Sequence, residues 1–86
     1  MTRLWSSGEI IRVVRDIHHQ PLRFVWQGQT HAVEQIEQMW EVDSDWWAEE
    51  GRVWRDYFAV TTDNGLLCVL YCDKLDNRWR LAKVYD

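Results

Sequence analysis

Hydrophobic and polar positions follow the pattern of strands most clearly in the carboxyl-terminal half of the chain. Residues 52–62 are dense in β-branched and aromatic side chains, and residues 66–72 are almost entirely apolar. The first pattern is typical of a strand, and the second indicates a central strand covered on both faces. In residues 78–85, aromatic and aliphatic side chains alternate with charged ones, which predicts a third strand.

Two polar turns separate these strands. Asp63, Asn64 and Gly65 follow the first, and Asn64 and Gly65 are predicted to supply the positive φ angles of a tight hairpin. Residues 73–77 form the second turn. The pattern therefore predicts a three-stranded antiparallel meander from residue 52 to the end of the chain.

The amino-terminal half carries two further strand patterns. Residues 9–17 are rich in β-branched side chains, and residues 18–21, which include Pro21, break the run. In residues 22–26, Leu22, Phe24 and Trp26 alternate with the residues between them, which indicates a strand with these three on one face. Gln27 and Gly28 predict a turn into residues 30–33.

Residues 33–42 fit two structures. Val33, Ile36 and Trp40 have the spacing of a helical stripe, but the same residues fit a long strand bent by a bulge. We favour the strand, because a hairpin that begins at Trp26 would otherwise have only a short second arm. Residues 43–51 are predicted to be a loop.

These elements predict an all-β domain. The fold expected is a five- to six-stranded antiparallel meander that curls into a small barrel or a rolled sheet. A chain of 86 residues has room for one domain, residues 1–86. Seven Trp, three Tyr and two Phe supply a core, because each large aromatic side chain removes about 150–250 Å² from water.

Charge is distributed unevenly along this domain. The net charge is −4, which argues against a protein that coats nucleic acid without selectivity. Residues 34–50 contain seven acids and no Lys or Arg, so the ten basic residues and the remaining acids leave about +3 elsewhere. Eight of the ten basic residues are arginine, which suits paired hydrogen bonds to carboxylates or phosphates. A surface with one acidic and one basic region is the simplest interpretation.

The chain has neither a signal-peptide pattern nor an apolar run near the ~20 residues of a membrane helix, so the expected location is the cytoplasm, with no membrane partner. Cys68 and Cys72 would lie on one face of a strand, roughly 13 Å apart. That separation is too large for a disulfide within one regular strand or for one shared metal ion. We expect two reduced, buried thiols.

Enzymatic chemistry finds little support in the residues. His18, His19 and His31 belong to no recognisable catalytic motif and are interpreted as two loop histidines and one on a strand surface. The spacings of zinc and calcium sites are absent, and the four glycines are spread over turns rather than gathered in a phosphate loop. We therefore expect a non-enzymatic protein with no catalytic residues, no metal and no cofactor.

Binding is the chemistry that remains. Trp46 and Trp47 are adjacent, so on an extended chain they point to opposite sides and one of them is expected to be exposed. A protein partner would dock on exposed Trp and Arg, the residue types enriched in binding hot spots. The predicted contact is the exposed member of this pair together with Arg55. The candidate binding residues as a set are Trp46, Trp47, Arg55, Tyr57, Arg78 and Arg80.

Single-stranded nucleic acid is the second candidate ligand. Small barrels stack bases on exposed aromatic side chains beside cations, at roughly 1–3 kcal/mol per base. The cations and aromatics expected on neighbouring strands are Arg52, Arg55, Arg78, Arg80, Lys83, Trp54, Tyr57 and Trp79. The structural alternative is that the aromatic residues form the core and the arginines pair with Asp56, Asp73 and Asp76.

One pattern resembles a known family. Residues 45–47 (Asp-Trp-Trp), residues 54–57 (Trp-Arg-Asp-Tyr), Gly65, residues 79–81 (Trp-x-Leu) and residues 84–86 (Val-Tyr-Asp) follow one another in an order similar to that of a small bacterial domain. The same order resembles the tail of ImuB-type proteins, the inactive relatives of Y-family polymerases that serve translesion synthesis. The resemblance implies an accessory or scaffold role in DNA-damage tolerance, and it assigns no catalytic residue.

Overall fold

Six strands form the fold. The computed structural model describes residues 2–44 and 53–85, with the side chains of the first range described from Glu9 onward. The strands are β1 (Thr2–Arg15), β2 (Pro21–Trp26), β3 (Gln29–Ser44), β4 (Val53–Thr62), β5 (Leu67–Asp73) and β6 (Arg78–Tyr85). Each pairs antiparallel with the next, and β1 also pairs with β6, which closes the barrel. The predicted all-β meander is confirmed, in its closed form.

The ambiguous segment 33–42 is a strand. It belongs to β3, which has 16 residues and two irregularities, one between Val33 and Gln35 and one between Ile36 and Gln38. The bent strand is therefore confirmed over the helix. Asp43 and Ser44 also belong to β3, so the predicted loop 43–51 is wrong at these two positions, and its other residues lie outside the described ranges.

The first strand differs from its prediction at both ends. The pattern indicated residues 9–17, whereas β1 covers Thr2–Arg15. The strand ends where the Asp16 carboxylate accepts the backbone N–H groups of His18 at 2.8 Å and Gln20 at 3.0 Å. These bonds lower the pKa of Asp16 and hold the chain in a turn. Pro21, predicted as part of the break, begins β2.

The inward face of β2 was predicted wrongly at one residue. Phe24 and Trp26 are buried as expected, but Leu22 is exposed. The register of the β1–β2 pair shifts between Val14 and Arg15, and Leu22 has no partner in that ladder. The shift moves Leu22 out of the alternation, so the period of two begins only at the next residue.

Two turns depend on residues with positive φ. Gln27 (φ 52°) and Gly28 (φ 74°) join Trp26 to Gln29 as a two-residue hairpin of type I′ geometry, which matches the twist of the strands. In the β4–β5 turn Gly65 has φ 84°, as predicted. Asn64 does not have a positive φ; its side-chain oxygen instead accepts a hydrogen bond from the Thr62 hydroxyl.

The core lies inside the barrel. The buried members of its hydrophobic cluster are Ile11, Phe24, Trp26, Phe58, Val60, Cys68, Leu70, Cys72, Trp79, Leu81 and Val84, and β3 adds the partly buried Val33 and Ile36. The Phe58 and Trp79 rings pack with centroids 5.4 Å apart. Residues 68–72 of β5 are buried at every position, which confirms the predicted central strand over these residues, whereas Leu66 precedes β5 and Leu67 is 38% exposed. Cys68 and Cys72 are free, buried thiols, as expected.

His31 is the one histidine of the core. The sequence suggested a strand-surface position, but only 3% of its surface is exposed. Its ring stacks on Phe24 with centroids 5.2 Å apart, and Nδ1 lies 3.4 Å from the Asn64 side-chain oxygen. The residue was misassigned because its neighbours on both sides in the sequence are polar or small, although its alternation with Val33 places it inward.

The described part of the chain has no helix with the length and apolarity that crossing a bilayer needs.

Candidate functional site

A row of outward side chains crosses the barrel wall on β3, β4, β5 and β6. Trp40 is directly opposite Tyr57, Tyr57 is opposite Tyr71, and Tyr71 is opposite Arg80. The Trp40 and Tyr57 rings stack with centroids 5.2 Å apart and planes 4° from parallel. The Tyr57 and Tyr71 rings follow at 5.0 Å. Because directly opposed side chains on neighbouring strands are in contact, the register itself builds this aromatic row.

Arg55 covers the row from the next outward position of β4. Its guanidinium carbon lies 4.6 Å from the centre of the Tyr71 ring, and its Nη1 donates a hydrogen bond of 3.1 Å to the Tyr57 hydroxyl. Its Nε is buried and finds no acceptor among the described residues. Arg55 and Tyr57, both predicted as binding residues, are thus in contact, and their interaction orders the guanidinium against the aromatic row.

Arg80 is held by two carboxylates. Its Nη1 lies 3.3 Å from the Asp73 carboxylate, and its Nη2 lies 2.8 Å from Asp76. The hydrogen bond from Arg80 is the main cause of the lowered pKa of Asp76. The alternative that the arginines pair with nearby acids therefore applies to Arg80, and an incoming anion would compete with both carboxylates.

The remaining predicted site residues are placed differently. Arg78 is exposed at the start of β6, and its backbone N–H donates to the Asp76 carboxylate at 3.0 Å. Trp46, Trp47 and Arg52 lie outside the described residues. Trp79 is buried in the core and cannot stack on a base. The strands of Arg55 and Arg80 were expected to be neighbours, but β5 separates them, and its Tyr71 lies between the two arginines: Arg55 covers the Tyr71 ring, and Arg80 is opposite Tyr71 in the β5–β6 ladder.

A groove opens on the outer face beside the aromatic row. Its volume is about 620 Å³. Small or aliphatic side chains from three adjacent strands, Ala59, Val69 and Ala82, form its floor. Trp40 and Tyr57 form one wall. The other lining residues are Glu37, Gln38, Thr61, Leu67, Lys83 and Tyr85. We call this feature the outer groove.

Sequence reasoning missed most of the outer groove. Tyr57, and Lys83 among the cations considered for nucleic acid, were the groove residues that the sequence suggested, whereas Trp40 and Tyr85 were not considered as binding residues. The sequence did contain a signal of the groove, because Ala59 and Val69 are small or aliphatic residues at outward positions between larger side chains. Small outward residues on adjacent strands leave a depression when aromatic side chains flank them. Recognising it required the register of β4 with β5, which directly opposes Ala59 and Val69.

A second cavity lies at the end of the barrel that carries the β1–β2 turn. Its volume is about 350 Å³, and we call it the end cavity. Its lining comes from that turn and from β3 and β4: His18, His19, Gln20, Met39, Trp40, Glu41, Asp56, Tyr57 and Phe58. Glu41 and Asp56 are directly opposed, and the Lys74 ammonium lies 3.8 Å from the former and 3.2 Å from the latter. The end cavity therefore contains two carboxylates that share one cation.

The described residues do not assemble a nucleophile with a base. His18 and His19 are exposed in the β1–β2 turn, whereas His31 is in the core. Burial raises the pKa of the Cys68 thiol to about 11, which disfavours the reactive thiolate. Within residues 2–44 and 53–85, no three His, Cys, Asp or Glu side chains gather as metal ligands.

These features define a class of protein: a small closed barrel of six up-and-down strands whose outer wall carries an aromatic row and an open groove. The chain belongs to the family described as "Domain of unknown function (DUF6504)", whose family model matches residues 7–86. No curated protein and no solved structure gives a significant match to the chain.

Proposed function

We propose that this domain is a non-enzymatic interaction module that binds a partner protein through the outer groove. The observation that carries the proposal is the groove itself, an open depression of about 620 Å³ with an apolar floor between aromatic walls. Its volume is in the usual range of ligand pockets, roughly 300–1,000 Å³. A depression of this size accommodates one or two large apolar side chains of a partner.

The side chains around the groove support a protein ligand. Trp40 and Tyr85 are both more than one-third exposed although they are large and apolar. Trp and Tyr are enriched among the residues that dominate the binding energy of protein interfaces, since they bury large areas at little conformational cost. Lys83, with its ammonium 5.5 Å from the centre of the Tyr85 ring, and Glu37 at the rim add polar contacts of both signs. This arrangement resembles an interface with an apolar centre and a polar border.

The biological setting that we propose is DNA-damage tolerance in the bacterial cytoplasm. Its support is the resemblance to the tail of ImuB-type proteins, which includes Tyr57 of the aromatic row and Trp79 and Leu81 of the core. The partner would then be a protein of translesion synthesis, and the domain would recruit or position it. This setting rests on the resemblance alone, whereas the interaction surface rests on the groove.

The groove is tested by removing its walls. The double substitution Trp40→Ala with Tyr85→Ala should leave the barrel folded, because both side chains are largely on the outer face, and should lower partner capture from native cells about tenfold or more. The matched control is Leu75→Ala, an exposed apolar residue in the β5–β6 turn, outside the groove. Quantitative mass spectrometry of proteins captured by each variant is the measurement. Equal capture by the double variant, with the fold intact by circular dichroism, contradicts the groove proposal.

Single-stranded nucleic acid is the competing ligand for the same face, and the stacked rings of Trp40 and Tyr57 beside Arg55 are the observation that favours it. Against it, Arg80 is already paired with two carboxylates. We expect no micromolar binding of a labelled single-stranded oligonucleotide at physiological salt, measured by fluorescence anisotropy. Micromolar binding that weakens steeply as salt rises would replace the protein ligand with nucleic acid, because counterion release produces that dependence.

A further inference from the structure

β3 extends well past its neighbour β2. It pairs with β2 only over Gln29–Ala32, but it pairs with β4 as far as Ser44. From residue 34 to residue 42, the side of β3 that faces away from β4 has no ladder partner among the described residues. We call this stretch the free edge of β3. An exposed strand edge presents unpaired N–H and C=O groups and is a template for an additional strand.

The free edge carries features that restrict what pairs with it. Its charged side chains are Glu34, Glu37 and Glu41, with no Lys or Arg in the stretch, and two irregularities of register interrupt it. Charges and bulges on an edge oppose indiscriminate pairing. A second copy of the same edge would place like charges across the new ladder, which is destabilising. The charge favours a strand of opposite sign.

The end cavity opens beside the free edge. Its lining joins the β1–β2 turn to β3, and the two meet where the Gln20 side-chain amide nitrogen lies 3.4 Å from the Met39 sulfur. Met39 is 53% exposed although it is apolar. A strand added along β3 would occupy the side on which β2 has ended and would direct alternate side chains toward this cavity.

The charges in the end cavity suit a cationic side chain. Glu41 and Asp56 oppose each other, and among the described residues Lys74 is the cation in contact with both. Trp54 donates its indole N–H to Glu41 at 3.0 Å, and the Lys74 ammonium lies 5.0 Å from the Trp54 ring centre. In the described part of the chain, these two carboxylates share one ammonium group and so have capacity for a second cation, which an Arg or Lys side chain of an added strand would supply.

We propose that the free edge of β3 binds a basic, extended segment of a partner protein as an additional strand, with an Arg or Lys side chain of that segment in the end cavity. Backbone hydrogen bonds along residues 34–42 supply affinity, and the acidic side chains and cavity select the sequence, as in other complexes formed by strand addition. The free edge shares Glu37, Gln38 and Trp40 with the lining of the outer groove, but the added strand would pair with the backbone of β3 and place its basic side chain in the end cavity, so strand addition does not require an occupied groove.

The proposal is tested with three eight-residue peptides. One alternates lysine with valine, the second alternates glutamate with valine, and the third alternates lysine with proline. The lysine–proline peptide has the charge of the first, but its prolines fix φ at about −65° and favour a polyproline II conformation that does not fit a pleated ladder. We expect the lysine–valine peptide to bind on the order of tenfold more tightly than the lysine–proline peptide, and the glutamate–valine peptide not to bind. Binding is measured by NMR titration of the full chain.

Hydrogen exchange locates the bound strand. The lysine–valine peptide should slow the exchange of backbone amides within residues 34–42, because strand addition pairs them. Equal affinity for the lysine–valine and lysine–proline peptides, or unchanged exchange in this stretch, would overturn the proposal. Protection of the stretch that rises with protein concentration in the absence of peptide would also overturn it, because that result identifies a second copy as the occupant.

A charge reversal supplies the matched variants. Glu34→Lys places a positive charge on the free edge and is expected to weaken binding of the lysine–valine peptide several-fold. Asp63→Lys makes the same change at an exposed residue of the β4–β5 turn and should leave affinity unchanged. Neither residue lines the outer groove, so loss of peptide binding in Glu34→Lys with normal partner capture separates this site from the groove. If both substitutions weakened binding of the lysine–valine peptide equally, the cause would be the net charge of the protein rather than the charge on the free edge, and the proposal would be contradicted.

Discussion

Replacing Leu70 with alanine is expected to lower the free energy of unfolding by about 3–4 kcal/mol. Leu70 has no exposed surface and lies at the centre of the barrel, directly opposite Phe58 on one side and Leu81 on the other. The loss combines the transfer free energy of the removed methyl groups with the cavity they leave, since the closed ladder prevents collapse around the site. For a domain with a total stability of about 5–15 kcal/mol, this is a large fraction.

Urea unfolding followed by tryptophan fluorescence measures this effect, because Trp26, Trp54 and Trp79 are buried or half-buried in the folded barrel and become exposed to water on unfolding. Leu75→Ala is the control. The chemical change is identical, but Leu75 is 54% exposed in the β5–β6 turn, so the expected loss is below about 0.5 kcal/mol. Similar losses for both substitutions would show that Leu70 is not in a packed core.

Raising the pH from about 9 to above 11 is expected to destabilise the barrel, because burial raises the pKa of the Cys68 thiol to about 11. The unfolded thiol loses its proton near its ordinary pKa, whereas the folded thiol keeps it. The unfolded state therefore binds fewer protons in this window, and stability falls as pH rises. The contribution of the protonated Cys68 thiol to stability is complete below the pKa that the thiol has in the unfolded chain. It is lost as the pH rises through the higher pKa that the thiol has in the folded barrel. The loss is on the order of 2–3 kcal/mol, from 1.36 kcal/mol for each unit.

Other groups act in the same direction. Burial also raises the pKa of Tyr71 and that of Cys72, so each adds to the alkaline loss. The contribution of Cys68 is isolated by comparing urea unfolding of the wild type and of Cys68→Ala at pH 8 and at pH 11. The variant should be less stable at pH 8, because it leaves a cavity, but its stability should fall less between the two pH values. An equal fall in both proteins would remove Cys68 as a source of the pH dependence.

The sequence predicted some residues of the site but not the groove. The pattern identified Arg55 and Tyr57 as binding residues, and the structure brings them into contact through a hydrogen bond and a shared neighbour, Tyr71. It also proposed Arg80, which two aspartates hold. These ion pairs depend on the turn between β5 and β6, and residue type alone does not show whether an arginine is already paired. The groove depends on Ala59 and Val69, whose small size becomes informative only when the two are opposite each other.

The sequence by itself located most of the strands and turns, although it misplaced both ends of β1 and left residues 33–42 open to a helix. Alternation between polar and apolar residues follows from the pleat, which is a local property, and the turns at Gly28 and Gly65 need a backbone conformation that favours glycine. The central position of β5 was also evident, because a strand covered on both faces is apolar at every position. Each of these features depends on residues that are close together in the chain.

The tertiary structure decided the register, and with it every feature between strands. The closure of β1 on β6, the outward position of Leu22 and the burial of His31 depend on pairings between residues that are distant in the sequence. A shift of one residue reverses the face of every side chain that follows, so small irregularities have large effects that the alternation does not show. The free edge of β3 arises in the same way, from the difference in length between two paired strands. The outer groove and the end cavity are therefore properties of the assembled barrel, and local sequence preference does not contain them.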